Sequence, residues 1–267
     1  MMSEQREHRR QGLYADPMLY DILHAPNTAR EVTALERVER AFAARPPAAH
    51  RLWFEPACGT GRYLRVAAGR GRRVAGFDRD PGQVAYARRR VSDTFVADMR
   101  DFADAALEAG FPPGCADFAF NPVNSIRHLA DDAEMRDHLA QMAAILKPGA
   151  LYVVGISLTD YDWLFEDEDL WEGARGRCRV SQLVNYLPPV PGTERARVET
   201  VISHLTVTRP RGQEHFDDRY DLRTYSRREW DALIAASALG HAGSCDAFGY
   251  PLGERVLPYQ LEVLVRK

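Results

Sequence analysis

LWFEPACGTGRYLRVAAGRGRRVAGFDRD, residues 52–80, is the stretch whose reading decides the fold. A short apolar run, Leu52-Trp53-Phe54, closes on an acid, Glu55. A small-residue loop follows, Pro56-Ala57-Cys58-Gly59-Thr60-Gly61, and then a helical segment from about Arg62. A second apolar run over 74–77 closes on Asp78. Continuous apolar runs are the mark of buried parallel strands. Gly59 and Gly61 lack Cβ atoms, so the backbone can turn sharply and approach a ligand. The helix after the turn aims its free N–H groups the same way. The pattern predicts strand, glycine turn, helix, strand, acid: the first βαβ unit of a nucleotide-binding sheet, with Asp78 placed to accept from two ribose hydroxyls.

A dinucleotide fingerprint needs G-x-G-x-x-G/A, and Leu64 stands where the last small residue belongs. No G-x-x-x-x-G-K-[ST] phosphate loop occurs. The loop E-P-A-C-G-T-G-R instead resembles motif I of the class I S-adenosylmethionine-dependent methyltransferases. That resemblance implies S-adenosylmethionine as cofactor. Gly59 and Gly61 would line its methionine part and Asp78 its ribose, with Glu55, Ala57 and Arg79 in the same cofactor-binding set.

Working outward, Tyr14, Tyr20 and His24 sit in a Pro-punctuated segment ahead of a helix in which Val32, Leu35, Val38 and Phe42 recur at helical spacing. Thr28 and Glu31 have the spacing of a capping box, and Pro46-Pro47 stops the helix. The Tyr20-Asp21-x-x-His24 stretch is similar to the N-terminal lid of small-molecule N-methyltransferases, the sugar-amine group included. By that resemblance Tyr20 would touch cofactor or substrate, and Arg30 would hold the cofactor carboxylate. Asp80 and Pro81 start a helix that runs to about Arg90. The third strand, 95–97, ends at Asp98, and Asp98-Met99 resembles the family's adenine-side motif. The fourth strand, 116–120, runs into Asn121-Pro122-Val123-Asn124-Ser125-Ile126-Arg127-His128-Leu129 at the carboxyl end of a central strand, where open α/β sheets put their ligands. This segment resembles N-S-x-x-H-L of small-molecule methyltransferases, with Asn121 on the cofactor side and His128 facing substrate. An imidazole titrates near neutrality, so His128 is the candidate acid/base or substrate-orienting residue, and Tyr20 of the lid is the second catalytic candidate.

Asp131 and Glu134 cap a helix with a stripe at Leu139, Met142, Ala143 and Leu146, and a fifth strand occupies 151–156. The expected fold is thus α/β: a doubly wound, Rossmann-like seven-stranded sheet. Residues 177–225 break its rhythm and read as an antiparallel β insertion, either a substrate roof or a homodimer contact; both stay open. Within it Tyr186, His204, His215 and Tyr225 read individually as packing residues. The acidic run 166–169 reads as a solvated loop. Ser226 and Glu229 cap a last helix through Leu239, ended by Gly240, and 241–267 supplies two closing strands. The expected division is 1–45 lid and helix, 46–176 cofactor-binding core, 177–225 insertion, and 226–267 last helix and strands.

The chain has 267 residues, 45% hydrophobic and 27% charged, with a formal net charge of −3. That gives no basic footprint for nucleic acid. The arginines at 70–73 and 88–90 read as solvated faces. Four dispersed cysteines make no C-x-x-C pair, so no metal is expected and a reducing cytoplasm fits. Residues 1–12 are polar, without the apolar core of a signal peptide, and are expected to fray. No run is long enough to span a membrane. The leading expectation is methyl transfer to an amine or hydroxyl of a small molecule. Two rivals remain. An RNA or protein methyltransferase shares the cofactor site, but Val123 and Asn124 replace the Pro and aromatic of N-P-P-[YF]. An NAD(P)-dependent oxidoreductase is opposed by Leu64.

Overall fold

The computed structural model describes residues 13–44 and 50–267. A 3-10 turn, Leu13–Ala15, leads into helix α1, Pro17–His24, and then α2, Thr28–Phe42. The core alternates β1 (Leu52–Pro56), α3 (Arg62–Gly69), β2 (Arg73–Asp78), α4 (Pro81–Arg88), β3 (Thr94–Val96), α5 (Ala103–Glu108), β4 (Ala116–Asn121), a 3-10 turn (Ser125–His128), α6 (Asp132–Ile145) and β5 (Leu146–Ser157). Four long strands follow: β6 (Asp167–Arg175), β7 (Cys178–Leu187), β8 (Val198–Arg209) and β9 (Gly212–Arg223). The chain closes with α7 (Arg227–Ala235), β10 (Leu239–Cys245) and β11 (Tyr259–Arg266).

The main sheet has the order β10-β11-β5-β4-β1-β2-β3. The five strands from β3 to β5 pair in parallel, and β11 pairs antiparallel with both β5 and β10. Alternation along each strand sends side chains to two cores. Phe54, Phe77 and Tyr152 join the cluster that takes in Leu139, Met142 and Trp230 of α6 and α7. Trp53, Phe118 and Val153 join Val32, Leu35 and Leu64 of α2 and α3. The strand order turns back between β1 and β4, and a crevice opens there at the carboxyl ends of the strands. Leu64 is accommodated because β2 carries Gly76 opposite it; a Cβ on Gly76 would sit 2.8 Å from the Leu64 side chain. The close approach that a dinucleotide fold obtains from a small helical residue is here supplied by the strand.

Several expectations need correction. The capping box at Thr28 and Glu31 does not form: Asn27 is the cap residue, and Thr28 Oγ1 donates to Ala25 O while Glu31 turns to Arg62. The run at 166–169 is no solvated loop, since β6 begins at Asp167; the insertion is therefore a four-stranded antiparallel sheet, β6-β7-β8-β9, starting ten residues earlier than expected. β6 is an exposed edge strand without an apolar face, which hid it. The last helix stops at Ala235, and Leu239 and Gly240 open β10. Arg70 and Arg72 are not merely solvated: they reach Glu36 and Glu39 on α2. The expected fraying of 1–12 and the stop at Pro46-Pro47 lie outside the described residues. No helix among the described residues is long and apolar enough to cross a membrane.

Candidate active site

The crevice is a cavity of about 1360 Å³. Typical small-molecule pockets hold roughly 300–1,000 Å³, so two reactants fit side by side. One end is built from the tips of β1, β2 and β3. Gly59 adopts φ +53, and its N–H donates to Asp78 Oδ2 at 2.8 Å. Asp78 Oδ1 accepts from Asp80 N at 3.0 Å. These two amides fix the carboxylate at the strand end, where Asp78 lines the cavity. Ala57, Arg79, Asp98 and Met99 line the same end.

The Met99 turn is held from below by α6. His138 is buried, with Nδ1 3.0 Å from Met99 O and Nε2 2.8 Å from the Tyr152 hydroxyl. Burial pushes its imidazole down to about 4, so it is neutral there. Gln141 clamps the next residues, accepting from Phe102 N and Ala103 N and donating to Arg100 O. Asp98 is gripped by Arg100, which also pairs with Glu134.

A smaller pocket adjoins this end, lined by Tyr20, Glu55, Ala57, Arg62, Asn121 and Val123 among others. Glu55 is 3% exposed and one of its carboxylate oxygens, Oε2, has no hydrogen-bond partner; the buried Asn121 Oδ1 has none either, while its Nδ2 donates to Pro56 O at 2.9 Å. Burial raises the Glu55 carboxyl well above the ordinary carboxylate range, against the pull of Arg62. Two orphaned acceptors beside a buried guanidinium fit the ammonium and carboxylate of an amino-acid moiety. Arg62 stacks on the Tyr63 ring at 3.9 Å, donates to Thr28 Oγ1 at 2.9 Å and pairs with Glu31.

The opposite end belongs to the lid and the antiparallel sheet. Tyr14, Tyr20, His128 and Tyr220 bring their rings together, with Tyr14 5.8 Å from both Tyr20 and Tyr220, and His128 5.4 Å from Tyr220. Burial moves the Tyr220 phenol up to about 12 and raises Tyr20 further, so both favour the protonated, hydrogen-bond-donating form. His24, against Tyr20 at 4.6 Å, is pushed by burial and by Arg62 down to about 3. His128 is held through its neighbour: buried Arg127 donates to Arg223 O and to Glu199, both at 2.9 Å. Two further residues of this segment, Val123 and Asn124, sit at φ +67 and +62. A β-branched residue there is strained. The loop is pinned over Gly155, where a Cβ would stand 2.9 Å from Pro122 Cα.

The expected residues therefore divide. Tyr20, Ala57, Gly59, Asp78, Arg79, Asp98, Met99 and His128 meet at the main cavity, and Glu55 and Asn121 line the pocket beside it. Gly61 does not line either; it takes φ +67 to close the turn and packs against Ala87. Arg30 is exposed on the outer side of α2, so Arg62 replaces it as the cation near the cofactor end. Arg62 had a signal in the sequence: a cation at the first position of a helix opposes the dipole and needs a reason. Asp218 and Tyr220 were missed, although alternation puts both on one face of β9. Among the described residues no group of three or more His, Cys, Asp or Glu is arranged to hold a metal ion.

Known proteins resemble the chain in sequence and in fold. Residues 54–149 match a methyltransferase domain. The chain is 29% identical over 228 residues, 83% of its length and 82% of the relative's, to a dTDP-3-amino-3,6-dideoxy-α-D-glucopyranose N,N-dimethyltransferase of Streptomyces fradiae. Two solved structures share the fold. A sugar N-methyltransferase of Streptoalloteichus has 22% identity and TM-score 0.69, covering 100% of this chain and 98% of its own. An amino pentose methyltransferase of Micromonospora echinaspora, bound to S-adenosylmethionine, has 22% identity and TM-score 0.65, covering 91% and 92%. Residues 54–149 are thus a methyltransferase domain, in a chain that resembles a sugar N,N-dimethyltransferase in sequence and shares its fold with small-molecule N-methyltransferases. The methyltransferase domain overturns the oxidoreductase reading.

Proposed function

We propose that this enzyme methylates the amine of an amino sugar. The observation that carries the reading is the acceptor end of the cavity, where three tyrosines and His128 surround a space beside the carboxylate of Asp218. Aromatic faces and a carboxylate attract an ammonium or its methylated product far more than a neutral hydroxyl. The names of the relatives point to the same acceptor.

S-adenosylmethionine, when bound, supplies a methyl group on a sulfonium sulfur; the amine lone pair forms the new N–C bond as the C–S bond breaks, its electron pair remaining on sulfur. The chain's own groups prepare that event. Asp78 would take the ribose hydroxyls, Asp98 and Met99 would hold the adenine, Glu55 and Asn121 would accept from the amino-acid ammonium, and Arg62 would hold its carboxylate. His128 removes the proton that would otherwise leave the acceptor nitrogen without a lone pair. Tyr20 donates a hydrogen bond and closes the lid. Orientation and water exclusion account for about 7–11 kcal/mol of barrier lowering in well-aligned pairs.

The test is direct. Purified protein with S-adenosylmethionine should convert a 3-amino sugar to its N-methyl product with stoichiometric S-adenosylhomocysteine. The matching sugar with hydroxyl in place of amine should stay unchanged; methylation of the hydroxyl compound at a comparable rate overturns the assignment.

A further inference from the structure

Gln83, in the first turn of α4, carries an orphaned acceptor into the main cavity. The residue is 4% exposed and lines the cavity with Gly59, Asp78 and Tyr20. One side of its amide is engaged: Nε2 donates to Tyr14 O, on the lid, at 3.3 Å. A carbonyl oxygen only accepts, so the atom facing Tyr14 is the nitrogen and the oxygen is the one left over. That oxygen, Oε1, is buried and has no hydrogen-bond partner among the described residues. A buried amide oxygen without a donor is destabilising, and a bound molecule relieves it.

Two further features aim Oε1 at the methyl donor. The backbone beneath it is tied to the tip of β2: Asp80 Oδ1 accepts from Gln83 N at 3.1 Å, and Asp80 N donates to Asp78 Oδ1 at 3.0 Å. Oε1 also faces the space that Gly59 leaves empty. A Cβ on Gly59 would stand 4.0 Å from Oε1 and 3.6 Å from the Tyr20 ring, so turn, amide oxygen and lid ring enclose one gap. The ammonium of the donor belongs to the pocket of Glu55 and Asn121, which Gln83 does not line. Beside Asp78 the donor presents its ribose diol, two hydroxyls with one proton each. Both oxygens of Asp78 already accept a backbone N–H, from Gly59 and from Asp80. Leu or Met would fill the volume of Gln83 equally well. What the amide adds is a polar atom at the place where the diol has a proton to give.

We infer that Gln83 is a donor-binding residue that shares the ribose diol with Asp78, its Oε1 accepting the proton of one hydroxyl. Through Nε2 the same side chain ties the ribose to Tyr14, whose ring borders Tyr220 and His128 at the acceptor end. The inference rests on the reading of S-adenosylmethionine as the methyl donor given above.

The experiment is a double-mutant cycle in which the ligand is one partner. Calorimetry measures S-adenosylhomocysteine and its 2′-deoxy and 3′-deoxy analogues against the unaltered protein and against Gln83→Met, which keeps the length of the side chain. S-adenosylhomocysteine should bind Gln83→Met about fivefold more weakly. In the unaltered protein one of the two deoxy analogues should bind about fivefold more weakly than S-adenosylhomocysteine because Oε1 has lost its donor. In Gln83→Met that penalty should vanish. A side chain that only supports the lid would weaken all three ligands by one common factor, so equal penalties in both proteins overturn the inference. Melting curves report whether Gln83→Met folds, and Gln83→Ala supplies the same comparison if it does not. If the unaltered protein binds none of the three ligands, the methyl-donor reading itself has failed.

Discussion

Arg62 and Arg30 are arginines at the starts of the two helices that flank β1 in the chain, and the direction each faces separates them. On α2, Thr28 and Val32 point inward, so a residue two places after Thr28 points out. Arg62 opens α3 at the turn itself and is 5% exposed. Arg62→Met should weaken binding of S-adenosylhomocysteine by tenfold or more, about 1.4 kcal/mol, in calorimetry, and Arg30→Ala should leave it unchanged. His128→Ala should lower kcat by roughly 10²–10⁴-fold, the range for a lost general base, with the Kd of the cofactor product unaltered. Loss of cofactor affinity at normal kcat would move His128 out of the acceptor end. Most of the cofactor end was legible in the sequence because strand tips and a tight turn fix their side chains locally. Glu55, Asp78 and Asp98 each end an apolar run. Asp218 and Tyr220 were not, because their place depends on how β9 lies across the cavity, a contact between residues some ninety positions apart from His128 in a sheet without apolar signature.

At the scale of elements, the catalytic geometry is set by neighbours that never touch a reactant. The short turn bearing His128 is held to the antiparallel sheet by Arg127, which is 4% exposed. Arg127→Met should cost about 1.5–3 kcal/mol in denaturant unfolding, since Glu199 and Arg223 O each lose a charged partner. It should also lower kcat without changing cofactor affinity. His138→Phe removes the support under Met99 and leaves the Tyr152 hydroxyl without its acceptor. Stability should drop by about 1–3 kcal/mol and cofactor affinity with it. Caps at Asp80, Asp131 and Ser226 were readable because they are local hydrogen bonds. The start of β6 and the end of α7 were not. β6 shows no alternation, and Leu239 continues the helical spacing of Leu233 and Ile234 while its backbone pairs with Arg266.

For the whole molecule, the decisive joint is Asp21. It is fully buried on α1 yet accepts from Arg175 at 2.6 Å on β6, from Tyr86 at 3.1 Å on α4 and from Arg65 at 3.3 Å on α3. Burial by itself would raise its carboxyl; the bonds from Arg175 and Tyr86 and the charge of Arg65 outweigh that and hold it below the usual range. A depressed carboxylate contributes stability that is complete above its unfolded value, near pH 4, and is lost as pH falls through the folded value. Thermal unfolding scanned downward from pH 5 should therefore lose Tm more steeply in the unaltered protein than in Asp21→Asn, whose Tm is lower throughout at neutral pH.

Gly173 on β6 passes so close to α1 that a Cβ there would stand 2.3 Å from Ile22 O. Lid and sheet are thus riveted back to back, and one cannot swing while the other stays. A donor seated at the strand tips, below the joined lid and sheet, is then predicted to bind before the acceptor and to leave after it. Product-inhibition kinetics would register this as S-adenosylhomocysteine competing with the donor and not with the acceptor.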